Sequence, residues 1–407
     1  MTPKTIFFFI MCMSITAGAS AQAKPAKGTF GYDQALLKNL YPDLITLRSK
    51  DGRGMVLVSP QHQGRIMTST ADGLEGISFG WLNYPLLESK KVLPHMTPVG
   101  GEERFWLGPE GGQFALFFKK GDPFDFDHWQ VPPELDSKPF RLVASTDSSA
   151  AFEQQIDLVN YAGTPMHIRV QRKITMLDDA HIHDRMSFPR GASIRVVGFQ
   201  TDNTITNTGD KAWDEQTGMP SIWLLSMLNP GPHTTVFIPF YDDSSGKKVI
   251  TDDYFGKVPA DRLKRVGNYV FFKADGKFRS KLGIAGNAGL SFAASYDADR
   301  KVLTLVKYEM TVDSKQFVNS LWKLQDDPYS GDVINSYNDG PLADGTQMGP
   351  FYEIETSSPA ARLAPGQSIP HTQRIFHMMG EEKDIDLMTR YYFNLPLDEI
   401  KKTFAGQ

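Results

Sequence analysis

The sequence has one cysteine, little net charge and, after its first residues, no long apolar run. Because Cys12 lies at the extreme N-terminus, the rest of the chain can form no disulfide and offers no thiolate for catalysis or metal binding. The formal net charge is −4 over 407 residues and the basic residues are scattered, which argues against a nucleic-acid partner. No later run reaches the roughly 20 apolar residues that a membrane helix needs. This composition favours a neutral ligand such as a carbohydrate and predicts no membrane span.

Residues 1–21 have the pattern of a signal peptide. Lys4 precedes an apolar run that begins at Ile6, and the small residues Ala19-Ser20-Ala21 have the A-x-A form of a signal-peptidase site. We expect cleavage near Ala21 and a periplasmic or secreted protein.

Strand patterns follow one another from about residue 54 to residue 377. The segments 54–60, 114–118 and 140–146 are short runs rich in β-branched and aromatic side chains, which predict strands. Residues 165–174 alternate apolar and polar side chains, as a half-buried antiparallel strand does. The 35 glycines and 26 prolines are spread between such runs as turn residues.

Helical spacing is confined to the two ends of the chain. Residues 32–41 predict a short helix, and residues 382–404 predict a helical tail. No linker composition and no fixed repeat divides the rest. The sequence therefore predicts an all-β fold, a sandwich of large antiparallel sheets with short peripheral helices. We divide it into an N-terminal segment with a helix (22–53), one sandwich domain (54–380) and a C-terminal helical tail (381–407).

The segment 95–114, HMTPVGGEERFWLGPEGGQF, combines glycine pairs with charged and aromatic side chains. Glycine pairs allow tight turns and close approach to a ligand. A loop with carboxylates, a guanidinium and an indole can hydrogen-bond sugar hydroxyls and stack on a sugar face. The candidate binding residues are Glu103, Arg104, Trp106 and Glu110. The alternative is a glycine-rich hairpin with a surface ion pair and a core tryptophan.

Two further segments are rich in acidic residues. His128 and Trp129 follow three aspartates in the segment 121–133, and the segment 326–345 is rich in Asp, Asn and Gly. Neither contains the spacing of a specific calcium loop, and we predict no metal and no cofactor. His181 and His183 share a strand face, but their acidic, solvated surroundings argue against a metal pair. The position of 326–345 suggests that it borders the same cleft as the segment that follows it.

Glu353 and Glu355 stand two residues apart in the strand-like segment GPFYEIETSSPA, residues 349–360. Alternate residues of a strand point the same way, so the two carboxylates should lie side by side. Each carboxylate disfavours the charge of the other, which raises the pKa of one of them toward the range useful for proton transfer. The alternative is that basic partners neutralise both groups.

The segment 352–377, YEIETSSPAARLAPGQSIPHTQRIFH, resembles the C-terminal strand pair of aldose 1-epimerases, in the galactose mutarotase-like superfamily. The shared features are a glutamate that ends a strand, an L-x-P-G loop and a threonine-containing return strand. The resemblance implies a β-supersandwich and gives Glu355 the role of catalytic base. It also implies that residues 100–106 line the sugar site, with Arg65 as an inward-pointing arginine. The chain as a whole resembles secreted bacterial members of the superfamily more than it resembles true epimerases.

The chain departs from the family pattern in its middle region. Aldose 1-epimerases carry an Asn-His motif whose histidine protonates the ring oxygen, and neither 204–213 nor 218–227 contains a histidine. His95 or His128 is then the expected acid, with Trp129 and Glu353 as further site residues. We therefore expect a sugar-binding domain that transfers protons at an anomeric centre. The alternatives are a non-catalytic protein of a glycan-uptake system and a glycoside hydrolase or lyase that pairs Glu355 with Glu103 or Glu110.

Overall fold

The computed structural model describes residues 25–178, 182, 191, 193–242, 248–310 and 316–405. The predicted signal peptide, His181 and His183 lie outside the described residues. The described helices are α1 (Phe30–Leu40), α2 (Tyr84–Ser89), α3 (Pro133–Asp136), α4 (Glu382–Phe393) and α5 (Leu397–Lys402). The described strands are β1 (Ile45–Arg48), β2 (Met55–Ser59), β3 (Arg65–Thr70), β4 (Arg104–Gly108), β5 (Arg141–Ser145), β6 (Ser149–Val159), β7 (Pro165–Leu177), β8 (Arg195–Asn207), β9 (Ser221–Leu228), β10 (Thr234–Pro239), β11 (Ile250–Thr251), β12 (Leu263–Val266), β13 (Tyr269–Lys273), β14 (Ser280–Ala285), β15 (Phe292–Asp297), β16 (Val302–Tyr308), β17 (Asp332–Asn338), β18 (Tyr352–Ser357) and β19 (Ser368–Met379).

Antiparallel pairing joins these strands into three sheets. A ten-stranded sheet has the order β12-β13-β10-β15-β16-β19-β8-β7-β6-β5, and a six-stranded sheet has the order β11-β14-β17-β18-β9-β4. The strands β1, β2 and β3 form a small third sheet. In β7, Met166, Ile168 and Val170 are buried while the residues between them are exposed, as the alternation in the sequence predicts.

The main core lies between the ten-stranded and the six-stranded sheets. Ile334 and Ile354 of the six-stranded sheet belong to the same buried cluster as Phe199, Ile205 and Ile375 of the ten-stranded sheet. Burial of such apolar side chains is the dominant favourable contribution to folding. The predicted all-β class, a large antiparallel sandwich with short helices, is confirmed.

The helices pack on the outside of the sheets. The helix α4 places Met388 and Phe393 on the outer face of the ten-stranded sheet, where the ring of Phe393 meets Phe237 edge-on at 5.0 Å. The predicted tail consists of two helices, because Asn394 adopts a left-handed conformation (φ 49°) and Pro396 follows it. At the other end, α1 covers the three-stranded sheet. Within the described residues, no helix has the length and apolar character needed to cross a membrane.

Three local predictions need correction. Residues 114–118 form no strand: they are largely buried, but their backbone groups bond to loop segments such as Gln130 and Tyr161. A strand, β1, already lies within the N-terminal segment 22–53. The strands β18 and β19, expected to pair, belong to different sheets and meet only across the core.

Candidate functional site

A cavity of about 1040 Å³ opens along one face of the six-stranded sheet. The strand β18 shows which face this is. The Thr356 hydroxyl lies 2.9 Å from Nε2 of His371 and donates to Oε1 of Gln373, so Thr356 points across the core toward β19. Because side chains alternate along a strand, Glu353 and Glu355 point to the opposite face, toward the cavity. We call this cavity the cleft.

Glu355 lies at the floor of the cleft with its two oxygens in different surroundings. Oε2 accepts hydrogen bonds from the indole nitrogen of Trp223 at 2.9 Å and from the ammonium of Lys281 at 2.8 Å. Oε1 is buried and has no hydrogen-bond partner among the described residues. The two bonds to Oε2 therefore hold the carboxylate in one orientation directly behind the cleft-lining side chains of Trp223 and Lys281.

Lys281 is the central cation of this floor. Burial on its own would lower the pKa of Lys281, but Glu355 and Glu110 outweigh burial and raise it. Its ammonium also lies 4.9 Å from the ring centre of Trp223, within range of a cation–π interaction. The pKa of Glu110 is raised by burial and by Glu355, against the opposing effect of Lys281. Glu110 lines the cleft, so a carboxyl group with a raised pKa faces a ligand.

A hydrogen-bonded group on β17 and the segment after β11 forms another part of the wall. The Tyr254 hydroxyl donates to Asp332, and the Asn335 amide donates to the Tyr254 oxygen at 3.2 Å. Burial raises the pKa of Asp332 to about 6, although Tyr254 and Thr251 act in the opposite direction. All three of Tyr254, Asp332 and Asn335 line the cleft.

Aromatic rings form the wall nearest β4. Trp129 lies between Phe126 and Trp322, with ring centres 6.0 Å and 5.9 Å away and interplanar angles of 20° and 25°. His95 lines the same part of the cleft, and its Nδ1 lies 2.6 Å from the carbonyl oxygen of Trp129. Nδ1 is the donor in this bond because a carbonyl oxygen only accepts, so Nε2 of His95 is the nitrogen that can take up or release a proton.

The sequence was compared with models of known protein families. The model of a family of unknown function, DUF6786, matches residues 28–404, nearly the whole described chain. The chain belongs to this family. No curated protein matches it.

Several solved structures resemble this DUF6786 chain at low sequence identity. A galactose mutarotase-like protein from Lactobacillus casei ATCC 334 is 11% identical, with 82% of this chain and 99% of that chain covered and a TM-score of 0.46. The galactose mutarotase related enzyme from Lactobacillus acidophilus is 10% identical, with 83% and 97% covered and a TM-score of 0.45. The Slr1438 protein from Synechocystis sp. PCC 6803 is 12% identical, with 83% and 96% covered and a TM-score of 0.47.

The structure places the candidates predicted from sequence at different depths. His95, Glu110 and Trp129 line the cleft, and Glu355 lies directly behind Lys281 and Trp223 at its floor. The other candidates do not line the cleft.

Glu353, Arg104 and Trp106 form a layer beneath the floor. An Nη2 atom of Arg104 lies 3.3 Å from Oε1 of Glu353, and the guanidinium stacks 3.9 Å from the ring centre of Trp106. Burial raises the pKa of Glu353 to about 7, with Arg104 acting against the rise and Glu355 adding to it. These side chains support the floor and do not line it. Arg104 and Trp106 belong to β4 and not to the loop that the sequence predicted.

Arg65 and Glu103 lie in the interior, and His128 lies on the surface. Arg65 donates to the carbonyl oxygen of Gly100 at 2.9 Å, and Glu103 is paired with Arg172 at 2.8 Å where neither side chain is exposed. His128 is exposed and paired with Asp125 at 2.6 Å. Arg65, Glu103 and His128 are therefore set aside as candidate site residues of this DUF6786 chain.

Several cleft residues were not predicted from the sequence. They are Trp223, Tyr254, Lys281, Trp322, Asp332 and Asn335. A weak signal existed for Asp332 and Asn335, which lie in the segment 326–345. That segment does border the cleft, and Asp339 and Asp344 line it as well. Among the described residues, no group of three or more His, Cys, Asp or Glu side chains is placed to hold a metal ion.

Proposed function

We propose that the cleft binds a neutral carbohydrate. Aromatic faces stack on the C–H faces of sugars, while carboxylates, amides and hydroxyls bind sugar hydroxyl groups. The cleft supplies both kinds of group, and its charges are nearly balanced. The ionisable groups that line it, apart from His95 and Tyr254, are Glu110, Asp332, Asp339, Asp344, Lys91, Arg279 and Lys281.

The proposed reaction is an aldose 1-epimerase-like proton transfer with Glu355 as the base. The observation that supports it is the asymmetry of Glu355, whose Oε2 is bound by Lys281 and Trp223 while Oε1 has no partner in the described part of the chain. The bonds from Lys281 and Trp223 fix the orientation of the carboxylate. A carboxylate of this kind suits abstraction of the proton from an anomeric hydroxyl.

Ring opening also needs an acid that protonates the ring oxygen as the C1–O5 bond breaks. The products are the open aldehyde, a protonated base and a deprotonated acid, and closure on either face of the aldehyde reverses these transfers. His95, through Nε2, and Asp332, with its pKa near 6, are two candidates for this acid among the ionisable groups that line the cleft. The variants His95→Gln and Asp332→Asn distinguish them, because the acid is the group whose loss lowers turnover.

The decisive experiment compares wild type with Glu355→Gln by polarimetry on freshly dissolved α-glucose, α-galactose and α-xylose. The substitution keeps the shape of the side chain and removes its proton acceptor, so turnover should fall by about 10²- to 10⁴-fold with sugar binding retained. Glu309→Gln is the matched control, since Glu309 is an exposed glutamate paired with Arg374 outside the cleft. Wild-type protein no faster than buffer on any aldose would contradict the proposal, as would a normal rate for Glu355→Gln.

Glycoside cleavage is the second candidate, because Glu110 and Glu355 form a carboxyl pair at the cleft. Such enzymes keep one carboxyl protonated as the acid, and the raised pKa of Glu110 suits that role. Release of reducing ends from a glycan panel, abolished in Glu110→Gln, would favour cleavage over epimerisation. Binding with neither activity would favour a glycan-binding protein.

A further inference from the structure

The cleft extends across almost the whole six-stranded sheet. Its lining includes Gly108 of β4, Trp223 of β9, Ser357 of β18, Asn335 of β17 and Lys281 of β14. Neighbouring strands lie roughly 4.8 Å apart, so the four spacings from β14 to β4 amount to about 19 Å. A single pyranose ring covers little more than one such spacing. The cleft is thus several times longer than a monosaccharide.

Exposed apolar side chains lie toward both ends of this length. Phe126 is 59% exposed and lies beside Trp129 near β4, whereas Phe255 is 43% exposed and follows β11 at the opposite edge of the sheet. Both rings line the cleft, as do the exposed side chains of Leu342 and Met348. Exposed aromatic groups that border a polar cleft mark a binding surface.

The floor between the two ends carries the ionisable groups. Glu355, Lys281 and Trp223 lie on β18, β14 and β9, which are inner strands of the sheet. A ligand that reached from Phe126 to Phe255 would pass over these groups. A free monosaccharide bound at the floor would not reach either exposed ring, so neither ring would contact the ligand.

We propose that the ligand of the cleft is a neutral oligosaccharide of three or more rings, which lies across the strands with its outer rings stacked on Phe126 and Phe255. This inference rests on the proposed carbohydrate binding, and it holds whether or not the protein is an epimerase. The ring over the floor is then an internal one whose anomeric carbon is held in a glycosidic bond, so this binding mode suits the glycoside-cleavage candidate, whereas anomer interconversion requires a free reducing end at the floor. Each stacked ring should strengthen binding by about 2- to 10-fold.

Isothermal titration calorimetry against length series of malto-, cello-, manno-, xylo- and galacto-oligosaccharides tests the proposal. Each series runs from the monosaccharide to the longest soluble member. In the series that binds, affinity should rise with each added ring up to at least three rings, by about tenfold or more in all. Phe126→Ala and Phe255→Ala should each remove part of this gain. Phe278→Ala is the matched control, because Phe278 is 41% exposed and lies outside the cleft lining.

The outcomes separate this inference from the proposed reaction. Equal affinity for the monosaccharide and its longer homologues would overturn the oligosaccharide proposal and leave epimerase activity standing. A rising series without anomer interconversion would support the oligosaccharide and refute the epimerase. If affinity still rises with oligosaccharide length in both phenylalanine variants, the outer rings do not stack on Phe126 and Phe255. That result would overturn the proposed path of the oligosaccharide across the strands. Absence of binding in every series would overturn both proposals.

Discussion

Glu103 lies between the sheets and Glu355 lies at the cleft, and both are buried. They differ in how many of their carboxylate oxygens accept hydrogen bonds. Glu103 accepts from Arg172 through Oε1 and from Thr201 and Gln373 through Oε2, so both oxygens are occupied. Glu355 has two donors on Oε2 and no partner for Oε1 among the described residues. Full pairing is what a structural charge needs, whereas a reacting carboxylate needs an oxygen that a substrate can use.

A buried carboxylate oxygen without a hydrogen-bond partner does not identify a functional site unless a cavity lies beside it. Glu102 also has one, Oε2, while its Oε1 accepts from Ser69 and lies 2.8 Å from Nε2 of His377. Glu102 bonds to Ser69 and His377 between the sheets, whereas both donors of Glu355, Trp223 and Lys281, line the cleft. The comparison therefore teaches that burial, pairing and access must be judged together.

The largest effect should come from removing the cation of each pair. Arg172→Met leaves Glu103 as an unpaired charge in the interior, and we expect a loss of about 3–5 kcal/mol in the free energy of unfolding. Lys281→Met should cost less, about 1–3 kcal/mol, because Lys281 is 11% exposed and cleft water can reach the site. Urea unfolding of both variants measures the difference, with Arg265→Met, at an exposed pair, as the control. Equal losses for Arg172→Met and Lys281→Met would remove the distinction between the two regions.

A pH-dependent effect of intermediate size should come from Glu353. Its pKa is raised in the folded protein from the ordinary 4.5 to about 7, mainly by burial, so the folded state holds a proton that the unfolded state releases. The stabilisation is complete below pH 4.5 and is lost as the pH rises to about 7, by an amount on the order of 1–3 kcal/mol. Glu353→Gln should lack this fall. Urea unfolding of wild type and variant across this pH range checks it, and parallel curves would refute it.

The smallest effect concerns the Tyr254 hydroxyl. Tyr254→Phe removes a hydrogen bond that lowers the pKa of Asp332, so that pKa should rise further above its ordinary value. The stability loss should be about 1 kcal/mol. Carboxyl ¹³C NMR titration measures the pKa, and Tyr241→Phe, at an exposed tyrosine outside the cleft, is the control. An unchanged titration of Asp332 would show that the hydroxyl does not act on it.

Part of this site could be predicted from the sequence, because some of its features depend only on residues that are neighbours along the chain. The alternation of β18 places Glu353 and Glu355 on one face, and the same rule gives the buried face of β7. Glycine pairs and aromatic side chains correctly drew attention to the segments that contain His95, Glu110 and Trp129. These features depend on neighbours in the sequence.

The rest depends on strand order, which a single sequence does not reveal. Lys281 reaches Glu355 only because β17 lies between β14 and β18, and Trp223 is adjacent because β9 pairs with β18 on its other side. The interior positions of Glu103 and Arg65 were likewise not evident from the sequence, because their partners, Arg172 and Gly100, are brought to them by tertiary structure.

The opposite orientations of Glu355 and Thr356 also restrict how the chain can fold. A slip of β18 by one residue would exchange its two faces, so Glu353 and Glu355 would enter the apolar core and Ile354 would face water. Two unpaired carboxylates between the sheets would cost several kcal/mol each, far more than the ladder of backbone bonds could recover in the new alignment. The two glutamates thus penalise every pairing of this strand that is out of register by an odd number of residues, and the residues proposed for chemistry also help to specify the fold.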